Sequence, residues 1–124
     1  MPLLETDFGG VLPIDGYGPG FFRVGGIVRP GNLLIHSGGA QNWGGYFETD
    51  PLLQFGSKIE VLFLGTGAEI AFPPAEFRRT LEEAGVFLEL MSTPSAARTY
   101  NVLLSEGRGV AAALIAMPGD LPIR

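Results

Sequence analysis

Three short apolar runs in the second half of the chain constrain its fold more than any other feature. They occupy residues 59–64, 86–90 and 110–116. Because most of their positions are apolar, they are typical of strands that are covered on both faces of a sheet. The two segments between them have the residue spacing of helices, so the order strand–helix–strand–helix–strand predicts half of a doubly wound sheet.

The first intervening segment has one apolar helix face. Phe77, Leu81 and Ala84 fall at i, i+4 and i+7, which places them on the same side of a helix. Gly85 follows where a helix C-terminus favours glycine. The segment therefore predicts a short amphipathic helix that packs on the sheet.

The second intervening segment predicts a longer helix. Thr93 is the expected N-cap, Pro94 the first helical residue and Gly107 the residue that ends the helix. A helix of about 13 residues returns the chain by about 20 Å, one sheet height, so we expect parallel strands with right-handed crossovers. The predicted buried face consists of Ala96, Ala97, Tyr100, Leu103 and Leu104.

The first half of the chain is glycine-rich, lacks helical periodicity and is typical of antiparallel strands. Pro30 and Gly31 occupy the centre of an expected type II turn, which predicts a hairpin between residues 27–29 and 33–36. Residues 15–20 are too rich in glycine for a strand, and we expect an ordered loop there.

Together these patterns predict an α/β fold with one domain over residues 1–124, built in three layers. Its mixed sheet is expected to combine a βαβαβ C-terminal half with an N-terminal antiparallel hairpin that extends or covers the sheet. A chain of 124 residues is long enough to bury one core of ordinary size.

Composition excludes several classes of function. The chain has no cysteine, so disulfides, thiolate metal sites and thiol nucleophiles are excluded. Its net charge of −5 argues against a nucleic-acid partner, which would need clustered Lys and Arg. No segment approaches the roughly 20 apolar residues of a membrane span. Residues 1–7 are acidic and lack the basic start of a secretion signal, so we expect a cytoplasmic protein.

The loops that follow the parallel strands are the first candidate site. In parallel units these loops meet at the carboxyl edge of the sheet, each leading to a helix N-terminus. Unpaired N–H groups and a partial positive charge at those termini can hold a small anion or a carboxylate, and an arginine one turn into the second helix could reach the same place. The expected members of this edge are Gly65, Thr66, Gly67, Ser92, Thr93 and Arg98.

The usual nucleotide motifs are absent from this edge. A P-loop needs a lysine after its last glycine, and no lysine follows Gly67 before the helix. A dinucleotide loop needs a third glycine where this chain has Ile70. Two interpretations remain open: the glycines form a tight strand exit, or they help to bind a small anion.

His36 and a group of aromatic residues are the candidates in the first half. His36 is the only histidine and adjoins Ser37; neighbours on one strand point to opposite faces, so the two cannot act as base and nucleophile. We expect a structural or merely exposed histidine, and the scattered carboxylates predict no metal site. Trp43, Tyr46 and Phe47 lie among glycines, where they could form an exposed patch for a partner or fold over the core.

Polar residues of the second helix and its end are further ligand or partner candidates, namely Arg98, Asn101 and Glu106. Arg98 and Glu106 could instead tie the helix to neighbouring loops, and Arg108 lies in the turn from this helix to the last strand. No motif indicates a bound cofactor.

The chain also resembles a known family over nearly its whole length. It is similar to the family of small α/β proteins of unknown function that includes mitochondrial complex I assembly factor three. That resemblance implies one three-layer α/β domain with a mixed sheet. The stretches that carry it are "GYGPGFFRVGG", "NLLIHSGG", "EVLFLGTG", "FPPAEFRRTLEEAGV" and "MSTPSAARTYNVLLSEGRGVAAALI".

The resemblance implies little about activity. Bacterial and archaeal members have no established activity, whereas the mitochondrial member acts in assembling a respiratory complex through a protein partner. Members often carry Cys where this chain has Ala97, so a thiol-dependent role is excluded here. The family positions that the resemblance marks as a possible pocket match Gly65, Gly67, Arg98, Asn101 and Glu106.

The leading hypothesis is a non-enzymatic binding or assembly module that works through a protein partner. Its surface would be the carboxyl edge of the sheet, together with the region around Trp43. The alternative is a protein that binds a small anion or another small ligand, or a weak enzyme, in the same crevice. A partner surface should expose a contiguous apolar patch, whereas a ligand site should be a concave pocket with convergent donors.

Overall fold

The fold of residues 12–119 is described by a computed structural model, and the acidic residues 1–7 lie outside this range. Its first element is a small antiparallel sheet of three strands in the order β1-β2-β3. The strands are β1 (Ile14–Gly18), β2 (Phe21–Val24) and β3 (Ile27–Pro30). Tight glycine-containing turns connect them, so this sheet is a meander.

A second, five-stranded sheet forms the centre of the structure. Its strands are β4 (Asn32–His36), β5 (Gly39–Trp43), β6 (Val61–Gly65), β7 (Leu88–Met91) and β8 (Val110–Leu114), in the order β5-β4-β8-β6-β7. β6 runs parallel to both β7 and β8, whereas β4 is antiparallel to β5 and β8. The last strand in the sequence therefore occupies the middle of a mixed sheet.

Three helices and the small sheet cover this central sheet. The helices are α1 (Asp50–Leu53), α2 (Ala75–Glu83) and α3 (Thr93–Ser105). Apolar residues of α1 and α2 form one core with one face of the sheet. On the other face, α3 and the small sheet share a second core. The result is the three-layer α/β arrangement that the sequence predicts.

Small residues let the layers approach the central strand. β8 reads Val-Ala-Ala-Ala-Leu, and all five of its residues are buried. Ala112 belongs to the core under α3, whereas Ala111 and Ala113 belong to the core under α2. Tyr100 of α3 fills space above this strand and is inaccessible to solvent. A pleated strand alternates its side chains between faces, so these alanines serve both cores.

Several sequence predictions are confirmed. The last strand is parallel to β6. An antiparallel hairpin of the first half does extend the sheet, although it joins β4 to β5 rather than the predicted residues, and the small meander covers the sheet. Gly85 and Gly107 both adopt positive φ angles, of 83° and 79°, where the two long helices end. The buried face of α3 contains Ala96, Ala97, Tyr100 and Leu104, as predicted, and Leu103 packs at its margin.

Three local predictions are wrong. The expected hairpin between residues 27–29 and 33–36 does not form, because β3 pairs with β2 while β4 pairs with β5 and β8. Gly31 does take the positive φ expected of it, 86°, but the chain crosses there from one sheet to the other. Residues 15–20 begin as strand β1 rather than as a loop, since pairing with β2 outweighs the weak strand propensity of glycine. Ser92, not Thr93, is the N-cap of α3.

One side chain ties the small sheet to α3. The Ile14 backbone N–H donates to Asn101 Oδ1 at 2.9 Å, and Asn101 Nδ2 donates to the Ile14 carbonyl at 2.8 Å. The amide thus takes the place of a strand neighbour at the start of β1 and satisfies both backbone groups of a buried residue. Asn101, a predicted ligand residue, has this structural function.

We expect Asn101→Ala to lower the free energy of unfolding by about 1–3 kcal/mol, because it leaves the Ile14 N–H and C=O without partners. Ser105→Ala is the matched control on the same helix, since the Ser105 hydroxyl only donates to the Val102 carbonyl one turn earlier. Its effect should stay within about 0.5 kcal/mol. Urea denaturation of both variants measures the difference, and equal destabilisation would contradict the proposed tie.

Candidate functional site

The predicted site at the carboxyl edge of the sheet is organised by a buried threonine. Thr93 is inaccessible to solvent, and its Oγ1 accepts from the Gly67 N–H at 2.9 Å and donates to the Ile115 carbonyl at 2.7 Å. The Thr93 backbone N–H donates to the Gly67 carbonyl at 2.7 Å. One residue therefore joins the end of β6, the end of β8 and the first turn of α3.

Glycine at position 65 is required by this close packing. A Cβ there would lie 2.8 Å from Thr93 Oγ1, 2.8 Å from Leu114 Cδ2 and 2.9 Å from Thr93 Cα. The Gly65 carbonyl accepts from the Ile115 N–H at 2.8 Å, which keeps the backbone in place. Gly67 has a φ of 108°, a backbone angle that residues with a side chain rarely adopt. Gly65 and Gly67 thus accommodate α3 at a tight exit from β6.

Thr66 shapes the loop that follows. Its backbone N–H donates to the Met91 carbonyl at 2.9 Å, which extends the contact between the ends of β6 and β7. Its hydroxyl donates to the Glu69 carbonyl at 2.8 Å and accepts from the Ala71 N–H at 2.9 Å. These bonds fold residues 69–72 back beside β7.

The N-terminus of α3 has few free donors. Ser92 Oγ accepts from the Ser95 N–H at 3.4 Å, and the Thr93 N–H is already bound by Gly67. Ser92 and Arg98 are the accessible members of the predicted group. Arg98 is exposed, and its Nη2 donates to Ser95 Oγ at 3.4 Å, its one side-chain hydrogen bond within residues 12–119. Anion binding at this edge stays a prediction that Ser92 and Arg98 would have to carry.

Glu106 does not join this group. It is the C-cap of α3, so the rise of about 1.5 Å per residue puts it about 12 Å along the helix from Arg98. Near it, Arg108 binds the Glu60 carboxylate, and Arg108 Nε donates to Glu60 Oε1 at 2.8 Å. Hydrogen bonding from Arg108 holds the pKa of the Glu60 carboxyl below its usual value. This end of the molecule is occupied by a surface ion pair.

The aromatic group of the first half is divided. Trp43 is buried, its Nε1 donates to the Glu48 carbonyl at 2.8 Å, and its ring contacts those of Tyr46 and Phe77. Of the two alternatives, Trp43 therefore folds over the core, above α2, and does not belong to an exposed patch. Tyr46 is half-buried against Phe77, with ring centroids 5.0 Å apart. Phe47 alone is fully exposed.

An apolar surface beside β7 was missed by the sequence analysis. Ile70 and Phe72 are 65% and 86% exposed, and they lie in the loop that Thr66 folds back. With Leu88 and Leu90 of β7 they line a groove of about 380 Å³, whose polar rim consists of Arg78 and Glu89. The signal in the sequence was a pair of large apolar residues in a loop without strand or helix periodicity.

A second groove continues this surface toward α3. It has a volume of about 480 Å³ and shares Ile70 and Leu90 with the first. Ser92 and Arg98 lie on its wall. The accessible members of the predicted carboxyl-edge site therefore belong to the same surface as the exposed loop.

His36 lies elsewhere, at the end of β4. Its Nδ1 accepts from the Gly38 N–H at 3.0 Å, and its ring meets Phe55 edge to face with centroids 5.1 Å apart. Partial burial lowers the pKa of His36. The structural role expected for this histidine agrees with these contacts.

Metal-ligand clusters and membrane-spanning helices are both absent from residues 12–119. No group of three or more His, Asp or Glu side chains is placed to share a metal ion. None of the helices in this part of the chain is both long and apolar enough to cross a membrane. The cytoplasmic location stays a prediction.

Replacing Thr93 tests the organising role of its hydroxyl. We expect Thr93→Val to lower the free energy of unfolding by about 1–3 kcal/mol, because the buried Gly67 N–H and Ile115 C=O lose their shared partner. Thr93→Ser is the matched control: it keeps the hydroxyl and loses only a methyl group, which costs about 1 kcal/mol. If valine proved less disruptive than serine in urea denaturation, packing rather than hydrogen bonding would hold the edge together.

The environment of His36 predicts a pH dependence of stability. Burial lowers the folded-state pKa of His36, so below the unfolded value of about 6.5 the unfolded chain binds the proton more readily. The free energy of unfolding should therefore fall as the pH is lowered through that value. His36→Gln should flatten the profile between about pH 7.5 and 5.5, above the range where carboxyl groups titrate. If the urea midpoint of His36→Gln fell with decreasing pH as steeply as that of the unmodified protein, this assignment would be contradicted.

The chain is similar in sequence to proteins of bacteria and mammals. An uncharacterized protein of Rhodobacter capsulatus is 52% identical over 118 residues, which cover 95% of each chain. The human protein named NADH dehydrogenase [ubiquinone] 1 alpha subcomplex assembly factor 3 is 31% identical over 128 residues, covering 96% of this chain and 68% of the human one.

Solved structures show the same fold. The crystal structure of an outer membrane protein from Bartonella henselae matches with a TM-score of 0.77 and 38% identity, over 90% of this chain and 99% of that one. The solution structure of a Bordetella pertussis protein, described as an Mth938-like domain, matches with a TM-score of 0.69 and 27% identity, over 96% and 93% of the two chains. Residues 14–115 match the family described as "Protein of unknown function (DUF498/DUF598)", and the chain is a member of that family.

Proposed function

We propose that this protein is a non-enzymatic binding module that docks an extended segment of a partner protein along the outer edge of β7. The observation that carries the proposal is the combination of an open strand edge with exposed apolar side chains at its side. We call this the β7 surface; it consists of Ile70, Phe72, Leu88, Leu90, Arg78, Glu89 and Arg98.

The strand edge supplies unpaired backbone groups. β7 is the edge strand of the five-stranded sheet, and among residues 12–119 it pairs only with β6. The Leu62 N–H binds the Phe87 carbonyl and the Thr66 N–H binds the Met91 carbonyl, so alternate peptide groups of β7 face β6. By the alternation of a parallel ladder, those of Leu88 and Leu90 face outward. An extended peptide can pair with them and add a strand to the sheet.

The exposed loop supplies apolar contact area. Ile70 and Phe72 are held beside the edge by the Thr66 hydroxyl, although both side chains face water. Phe87, just before the strand, is 63% exposed. Apolar residues gathered next to a groove mark interaction sites more often than scattered ones do. Because the loop is already ordered by hydrogen bonds, a partner would lose little entropy in fixing it.

Charge at the rim indicates the chemistry of the partner segment. Arg98 is exposed, and among residues 12–119 no carboxylate lies within ion-pair distance of it, so its guanidinium group is available to a carboxylate of the partner. Arg78 is paired with Glu82 at 3.5 Å, in an exposed ion pair of small energetic value that a partner can replace. We therefore propose a segment with alternating apolar side chains and at least one acidic residue.

The names of relatives suggest where to look for this partner. Several are named as assembly factors of NADH dehydrogenase, including the human and the rat proteins. We propose a subunit or assembly intermediate of that enzyme as the first partner to test. Gly65, Gly67 and Thr93 would act indirectly in this role, because they hold the loop and α3 in place.

A photo-crosslinking experiment tests the β7 surface. Benzoylphenylalanine introduced at Phe72 in the full chain should crosslink to a discrete protein in cells that make this protein. The same group introduced at Val102, which is 54% exposed on α3, is the matched control and should give no such product. Mass spectrometry of the crosslinked product then tests for a NADH dehydrogenase subunit.

Surface variants supply the affinity test. The double variant Ile70→Ser with Phe72→Ser should weaken co-purification of the crosslinked protein about tenfold or more, since each side chain is an apolar anchor. Val102→Ser should leave it unchanged. Equal crosslinking from positions 72 and 102, or full retention by the double variant, would sink the proposal.

A further inference from the structure

A separate cleft lies between the two sheets, at the opposite side of the central sheet from β7. It has a volume of about 210 Å³ and opens beside the turn between β4 and β5. Its apolar wall includes Val24, Ile27, Ile35 and Ala40, and Arg29 of β3 is its charged residue. No residue of the β7 surface takes part in it.

Arg29 occupies an unusual position for a charged residue. It stands opposite Phe22 in the β2–β3 ladder, and opposed residues share a face of the sheet. Phe22 is completely buried, so Arg29 is on the inner face of the small sheet. The Arg29 Nε atom is inaccessible to solvent and has no hydrogen-bond partner among residues 12–119.

Three other arginines have a carboxylate partner, which Arg29 lacks among residues 12–119. Arg78, Arg79 and Arg108 each bind a carboxylate of the described chain. Arg23, on the neighbouring strand, is exposed. Arg29 is half-buried, yet no carboxylate in the described part of the chain lies within ion-pair distance of it. A buried donor without a partner costs free energy that a bound anion would recover.

We propose that this cleft binds a small organic carboxylate, with its charged group on Arg29 and a short apolar tail between the sheets. The guanidinium group matches a carboxylate geometrically, because its N–H donors form a planar fork. The walls exclude water from the tail, whereas a bare inorganic anion would lose hydration there without compensation. The volume is below the roughly 300 Å³ at which drug-sized pockets begin, which favours a short chain.

The position of Arg29 also fits a second role, which is to prevent the small sheet from pairing with another copy of the chain. Inward-pointing charges on edge strands oppose edge-to-edge pairing, and β3 is an edge strand. In that case removal of the charge would change the oligomeric state, and carboxylates would have no effect. The two roles therefore give different results in one set of measurements.

The test is an NMR titration of the full chain with small carboxylates. The ¹H–¹⁵N signals of Arg29 Nε–Hε and of the backbone amides from Ser37 to Ala40 report binding. The probes are acetate, butyrate and hexanoate, with butyramide as the neutral analogue and inorganic phosphate as the hydrated anion. We expect saturable shifts with butyrate and hexanoate, severalfold tighter binding than with acetate, and no saturable shift with butyramide or phosphate.

Two variants complete the test. Arg29→Gln should weaken butyrate binding at least about tenfold, read from the Ser37–Ala40 amides, whereas Arg23→Gln on the outward face of the same sheet should not change it. Both variants should give the native pattern of amide signals. Absence of saturable shifts at millimolar carboxylate, or equal weakening by the two variants, would overturn the proposal. The proposal would also be overturned if the Arg29→Gln variant dimerised and carboxylates caused no chemical-shift changes in the unmodified protein.

Discussion

The hydroxyl of Thr93 is the interaction on which the arrangement of the central sheet and α3 depends. It binds Gly67 after β6 and Ile115 after β8, and the backbone of the same residue returns a bond to Gly67. A buried hydroxyl can do this only if the strands end at matching heights and nothing larger than glycine stands at position 65. The position of α3, and through Asn101 that of the small sheet, follows from this contact.

The architecture of the second half was predictable because its signals are local. Apolar runs, helix periodicity and the glycines at 85 and 107 each fix an element without reference to the rest of the chain. The first half was less predictable, because its strands choose partners through tertiary contacts. The positive φ of Gly31 was correctly expected, but nothing in residues 27–36 shows that the strands on its two sides join different sheets.

The candidate site was located only in part for a related reason. The sequence shows that residues 65–67 and 92–93 meet at one edge. It does not show that the Thr93 hydroxyl is already hydrogen-bonded within the chain, to Gly67 and Ile115. What remains accessible, Ser92 and Arg98, borders a surface made by a loop without periodicity. Loops of this kind acquire their positions from single hydrogen bonds, here those of Thr66, which propensities do not encode.

The position of β8 has a consequence for biosynthesis. This strand leaves the ribosome after the other four strands of the central sheet, yet it lies in the centre of that sheet between β4 and β6. Until residues 110–114 emerge, the β4–β5 hairpin and the β6–β7 pair have no common neighbour, and each leaves an apolar strand edge without its partner. The central sheet therefore cannot close before these residues are available, and until then the nascent chain passes through a stage in which it depends on protection from aggregation.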